Sequence, residues 1–198
     1  MNIKVILLLL LFGLLSCKTT KQDLNKESIK LQLAASYYKA LNDSKTSQMR
    51  ALVGDTIVIR ENADNYEERF SQKEYIQWLE WDSVFEPTYT VLEIEQDNQI
   101  VKAKISKMDK RLAFLHEKPI VWNEIVKFDN NRTQVNKISR IDRVKYEVFD
   151  VEKFIKNREV LVTWIDENYP ELKGFLYPQT KPAAIQYLKA IVLYLDEN

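Results

Sequence analysis

Glycine, cysteine and histidine are nearly missing from this chain: 198 residues hold three, one and one of them. With so few glycines there is no loop of the kind that cradles nucleotide phosphates in dinucleotide-binding or P-loop proteins. The single histidine, His116, and the single cysteine, Cys17, cannot assemble a zinc cluster, and one cysteine closes no intramolecular disulfide. His116 stands in the polar break His116-Glu117-Lys118-Pro119 and reads as a loop residue. Charge of one sign is lacking too. The 29 basic and 29 acidic residues cancel and are interspersed, which leaves no electrostatic footprint for a nucleic-acid partner. Neither a metal nor a cofactor is implied.

What the chain does have begins at its start. Lys4 precedes an unbroken apolar run from Val5 to Leu15, followed by Ser16 and Cys17, the layout of a secretory signal. The run is too short for a bilayer, which takes about 20 apolar residues. Leu14-Leu15-Ser16-Cys17 resembles the lipobox of bacterial lipoproteins. That resemblance implies acylation of the Cys17 thiol and cleavage just before it, so that residues 1–16 are a signal peptide and Cys17 becomes the first residue. Buried acyl chains contribute roughly 0.8 kcal/mol per CH₂, and several chains together make a stable anchor. The expected location is the cell envelope, periplasm-facing, with the membrane as partner through acylated Cys17 and residues 17–27 as a polar tether.

Beyond the tether, Ile29, Leu33, Tyr37 and Leu41 recur at helical spacing, with Ala34, Tyr38 and Ala40 widening the stripe. A short helix near Gln48–Leu52 is expected next, ended by Gly54-Asp55, and then a strand from Thr56 to Glu61. Ser71 and Glu74 form a capping box that opens a helix through Tyr75, Trp78 and Leu79. Strands follow at Thr88–Glu95, Ile100–Met108 and Ile120–Phe128, and a fourth from Thr133 to about Tyr146. In Ile100–Met108 the apolar Val101, Ala103 and Ile105 alternate with Lys102 and Lys104, as in a half-buried antiparallel strand. The layout is α+β: helices on one face of a curved antiparallel sheet.

Tyr37-Tyr38-Lys39-Ala40-Leu41-Asn42 followed by Leu52-Val53-Gly54-Asp55-Thr56-Ile57-Val58 resembles the opening of the NTF2-like superfamily, which includes SnoaL-like cyclases and ketosteroid isomerase. Glu124–Asp129 and Lys137-Ile138-Ser139-Arg140-Ile141 are similar to its last two strands, with Asn136 where a glycine is usual. The resemblance spans residues 28–148 and implies a cone, the sheet wrapped around N-terminal helices, with a cavity open at one end.

Three polar residues fall on faces that periodicity turns inward: Tyr37 on the first helix, Glu61 beside Ile57 and Ile59, and Glu124 beside Trp122, Val126 and Phe128. A glutamate on an apolar strand face is costly unless it is paired or protonated. In the resemblance to ketosteroid isomerase, Glu61 takes the place of the general base, Tyr37 that of the oxyanion-binding tyrosine and Glu124 that of the neutral carboxylic acid. Both carboxyls are Glu where that enzyme has Asp, and Asn62 stands where it has proline. Trp78, Tyr89, Trp122 and Val126 are the expected pocket wall, suited to a small apolar ligand.

Two amphipathic helices, Asp150–Tyr169 and Thr180–Leu195, extend the chain over residues 149–198. Packing across the outside of the sheet is the expectation for them. A homodimer contact, an envelope-protein partner and a lid over the cone mouth are the alternatives. Two functions therefore stand: a membrane-anchored binding or interaction domain, or an isomerase, cyclase or hydrolase using Glu61, Tyr37 and Glu124.

Overall fold

Burial follows the sequence alternation residue by residue in two neighbouring strands, β4 (Ile100–Met108) and β5 (Ile120–Phe128). Val101, Ala103, Ile105 and Lys107 of the first face inward together with Ile120, Trp122, Glu124, Val126 and Phe128 of the second. The computed structural model describes residues 19–62, 65–129 and 136–198, with side chains from Ile29 onward. Cys17 and the leader lie outside the described residues. Helix α1 (Thr19–Asn42) leads through α2 (Thr46–Leu52) into β1 (Val53–Glu61) and β2 (Tyr66–Ser71). Helix α3 (Gln72–Ser83), β3 (Thr88–Asp97), β4, α4 (Lys110–Leu115), β5 and β6 (Ile138–Val148) follow. Helix α5 (Val151–Asn168), a 3₁₀ turn (Pro170–Phe175) and α6 (Lys181–Glu197) end the chain.

The strands form one curved, open sheet in the order β2-β1-β6-β5-β4-β3, the α+β architecture expected. All neighbours are antiparallel except β1 and β6, which run parallel. Helix α1 lies along β3 and β4, and Ala34, Tyr37, Tyr38, Ala40 and Leu41 enter the core there. Local chemistry sets the helix starts. The Ser71 hydroxyl accepts from the Glu74 N–H while the Glu74 carboxylate accepts from the Ser71 N–H at 2.7 Å. The side chains of Asp109, Asp150 and Thr180 accept from the Leu112, Lys153 and Ala183 N–H groups, each satisfying a donor the helix leaves open. Asn136 adopts a φ of 65°, the left-handed conformation in which glycine is most at ease and asparagine is tolerated.

Several boundaries differ from the sequence reading. Residues 19–27, expected as tether, continue α1. Gly54-Asp55 does not punctuate: β1 begins at Val53 and includes both. The fourth long strand begins at Ile138, and residues 133–135 of the expected span lie outside the described residues. Strand β2 and helix α4 carried no signal that periodicity could use. Tyr66-Glu67-Glu68-Arg69-Phe70-Ser71 is almost wholly exposed, and α4 is shorter than two turns.

The largest correction concerns the end of the chain. Helices α5 and α6 do not lie on the outer face of the sheet; they pack against α3, α4, the 3₁₀ turn and each other. There they build a second core, in which Leu161, Ile165, Leu172, Tyr187, Ala190 and Ile191 close over Trp81 and Phe85 of the α3 end. Phe154, in the first turn of α5, reaches across to the main core. Among the described residues no helix is long and apolar enough to cross a membrane.

Candidate functional site

Strand register brings three charged side chains into one row across the inner face. Glu61 of β1 stands opposite Arg143 of β6, Arg143 opposite Glu124 of β5, and Glu124 opposite Ala103 of β4. Side chains directly opposite one another on one face of a sheet are contact neighbours. Arg143 donates from Nη1 to Glu61 Oε1 at 2.5 Å, and its Nε lies 3.9 Å from Glu124 Oε2. One guanidinium thus compensates two carboxylates. Tyr146 donates to the other Glu61 oxygen at 2.9 Å. Both Glu124 oxygens accept, from Tyr38 Oη at 2.8 Å and from Trp122 Nε1 at 2.6 Å.

Arg143 and Tyr146 are three residues apart, a spacing that puts two side chains of a regular strand on opposite faces. Both point inward here because β6 is irregular. Its residues 138, 141, 143 and 146 oppose Phe128, Val126, Glu124 and Trp122, with register shifts between these pairs. Each extra residue in β6 resets the alternation, as a β-bulge does. Arg143 keeps regular alternation with the buried Ile141, and it is the shift after Arg143 that brings Tyr146 to the same face. The outward Asp142 gives the complementary sign: it pairs with Lys127 at 2.6 Å and Arg140 at 2.6 Å, and those bonds outweigh burial to hold its carboxyl below the usual range.

A second charged cluster gathers around Lys107. Lys107 follows Ile105 on the inner face of β4 and is only 8% exposed. It pairs with Asp82, which is fully buried on α3, and with Asp109 at 3.1 Å; Tyr89 donates to Asp82 at 2.8 Å. Nothing in the sequence marked Asp82. Lys107 could have been found, because it continues the apolar alternation of Val101, Ala103 and Ile105.

Two cavities meet at this interior, sharing Trp78, Arg143 and Gln179 in their walls. The larger, about 250 Å³, is bounded by Tyr89, Trp122, Tyr146, Phe149, Phe154 and the Lys107–Asp82 pair, among others. The smaller, about 140 Å³, includes Glu61, Glu68, Phe70 and Tyr75. Phe154 and Gln179 come from the C-terminal extension, and Gln77 of α3 donates to the Gln179 carbonyl at 3.4 Å. The extension thus forms part of the cavity wall.

Of the three polar residues singled out in the sequence, Glu61 borders the smaller of these two cavities, and Glu124 and Tyr37 border neither. Glu124 lies behind Arg143 and Trp122, 4% exposed. Tyr37 is one layer deeper: its hydroxyl is 2.5 Å from that of Tyr75, and it is the adjacent Tyr38 that reaches Glu124. Trp78, Tyr89 and Trp122 line the larger cavity, whereas Val126 is buried in the main core. Burial pushes the Glu124 carboxyl above its ordinary value, against the pull of Arg143, Trp122 and Tyr38. Burial likewise raises the Tyr146 hydroxyl, to about 12, and holds Tyr37 and Tyr38 well above the phenol range. His116, buried in the turn after α4, accepts from the Asp150 N–H at 2.8 Å and so ties the sheet to α5.

No family model matches the sequence, and no curated protein matches it. Solved structures do. The chain is similar in fold to NTF2-like and SnoaL-like proteins. A candidate SnoaL-like polyketide cyclase from Shewanella denitrificans shares 14% identity, with 67% of this chain and 98% of that one covered and a TM-score of 0.49. A candidate ketosteroid isomerase from Kribbella flavida shares 12%, with 61% and 80% covered and a TM-score of 0.49. An NTF2-like protein of unknown function from Cytophaga hutchinsonii shares 9%, with 60% and 89% covered and a TM-score of 0.45. A third or more of this chain has no counterpart in any of these three.

Proposed function

We propose that this chain is a membrane-anchored binding protein whose cone holds a small, largely apolar molecule. The observation that carries the binding role is the pairing inside the cone. Glu61 is engaged by Arg143 and Tyr146, and both Glu124 oxygens are taken up by Tyr38 and Trp122. A general base needs a carboxylate free to reach a substrate proton, and a neutral acid that donates to an oxyanion needs a proton directed at the cavity. Glu124 instead faces two donors, and the Tyr37 hydroxyl is paired with that of Tyr75. What remains accessible is a wall of Trp78, Trp122, Tyr146, Phe149 and Phe154, which offers area and shape.

A neutral bicyclic probe, 2-naphthalenemethanol, tests the cavity. Saturable one-to-one binding by calorimetry is expected, with quenching of tryptophan fluorescence. Trp78→Ala, which removes a wall shared by both cavities, is expected to weaken it by about tenfold. Absence of saturable binding would rule the reading out.

The membrane half of the proposal rests on Leu14-Leu15-Ser16-Cys17. Cys17→Ala in the full-length chain is expected to move the protein from the membrane fraction to the soluble fraction and to abolish acylation seen by mass spectrometry. Equal membrane retention of the variant would refute lipid anchoring.

A further inference from the structure

The two cavities divide the interior charge between them. Glu61 and Glu68 border the smaller one, whereas the larger has three cations in its wall, Lys107, Arg111 and Arg143, and a single acid, Asp82. That acid is already held by Lys107 and Tyr89. Arg111, in the first turn of α4, differs from the other two cations. Its guanidinium carbon sits 4.8 Å from the centre of the Trp81 ring and 5.4 Å from that of Phe85, it lies within electrostatic reach of the Tyr187 hydroxyl, and no carboxylate pairs with it among the described residues. Its Nε is buried with no hydrogen-bond partner, and the Nε of Arg143 on the same cavity is in the same state.

Arg111 is only partly exposed, and its buried Nε is costly because that donor loses its hydration without a replacement. Lys107 has two carboxylates and Arg143 has two, so among the described residues the wall cation without a carboxylate partner is Arg111. Its two aromatic neighbours fix the plane of the fork without using its N–H groups, which is the preorganised arrangement that suits a planar anion. Aromatic surface, from Trp78, Trp122 and Tyr146, continues from it around the cavity.

We infer that the larger cavity binds aromatic carboxylates, with the carboxylate on the Arg111 guanidinium and the ring system among Trp78, Trp122 and Tyr146. This rests on the binding role proposed above and names the ligand class for it. Arg111 supplies the acceptor-seeking fork; Lys107 and Arg143 raise the local potential without leaving their own carboxylates. A neutral molecule of the same shape gains the stacking and forgoes the charge-assisted bonds.

The test compares 2-naphthoate with 2-naphthalenemethanol on the full chain by calorimetry. The acid is expected to bind at least about tenfold more tightly in wild type, and Arg111→Met to erase that preference while leaving the alcohol's affinity within about twofold. Arg111→Lys, which keeps the charge and loses the fork, is expected to fall between, and it serves if the methionine variant does not fold. Equal affinity of the two probes in wild type overturns the inference and leaves the binding role standing. A preference that survives both Arg111 variants also overturns it, by moving the anion to Arg143 or Lys107. If neither probe binds, the binding role itself fails and the inference falls with it.

Discussion

Arg143→Met is expected to lower the unfolding free energy by about 2–4 kcal/mol, below the top of the range for breaking a buried ion pair because Arg143 and Glu61 are partly exposed and only Glu124 is fully enclosed. The reason is positional. Arg143 is the cation between Glu61 and Glu124 on their strand row, so its loss leaves two carboxylates facing each other across a methionine. One of them then has to take up a proton to stay inside. The sign of the pH dependence follows. A carboxyl whose folded pKa lies above its unfolded value stabilises the fold below the unfolded pKa, and that contribution is lost as pH rises through the folded one. Burial already pushes Glu124 in this direction in the wild type, and removing Arg143 pushes it further. The variant should therefore lie closer to wild type in mildly acidic buffer than at neutral pH, measured by urea unfolding. Adding Glu124→Gln to Arg143→Met should restore part of the loss at neutral pH and flatten the pH profile. A variant equally stable at both pH values would show that the row is not electrostatically coupled.

Phe85→Ala is expected to cost about 3–5 kcal/mol, the range for emptying a buried aromatic site. Phe85 is fully buried at the end of α3, where it meets Trp81 with ring centres 5.1 Å apart and Tyr187 of α6 at 5.8 Å. It also supplies one of the two ring faces against the Arg111 guanidinium. The loss should therefore appear in two measurements: a lower unfolding midpoint, and earlier proteolysis within α5 and α6 than within the sheet, because the second core loses its link to α3. Uniform proteolytic protection along the chain would contradict the view that Phe85 joins the extension to the cone.

Much of this architecture was legible where one period held along an element. Val101, Ala103 and Ile105, the Trp122-to-Phe128 face and the Ser71–Glu74 capping box are all local patterns, and each is present in the fold. The inward glutamates could be found by the same logic, since Glu61 and Glu124 interrupt apolar faces. Their partners could not. Arg143 and Tyr146 share a face only because β6 breaks its alternation, and Tyr38 rather than Tyr37 meets Glu124 because of how α1 is rotated over the sheet. Asp82 is one acid among several on an amphipathic helix until Lys107 is seen opposite it. The placement of α5 and α6 was illegible for a related reason: an apolar stripe shows that a helix is covered but not by what, and α3 and the sheet both offered apolar surface.

The irregularity of β6 also decides which wrong register the sequence resists. With unbroken alternation after Arg143, Lys145 would come to the inner face in place of Tyr146, opposite Trp122. An ammonium would then enter an aromatic layer and Glu61 would lose the Tyr146 hydroxyl, at a cost of several kcal/mol. The native pairing keeps Lys145 outside, opposite Asn123. A strand that slips by one residue at this point is penalised by the same side chain that the correct register leaves in water. The odd residue after Arg143 thus acts as a safeguard against mispairing as well as a means of aiming Tyr146.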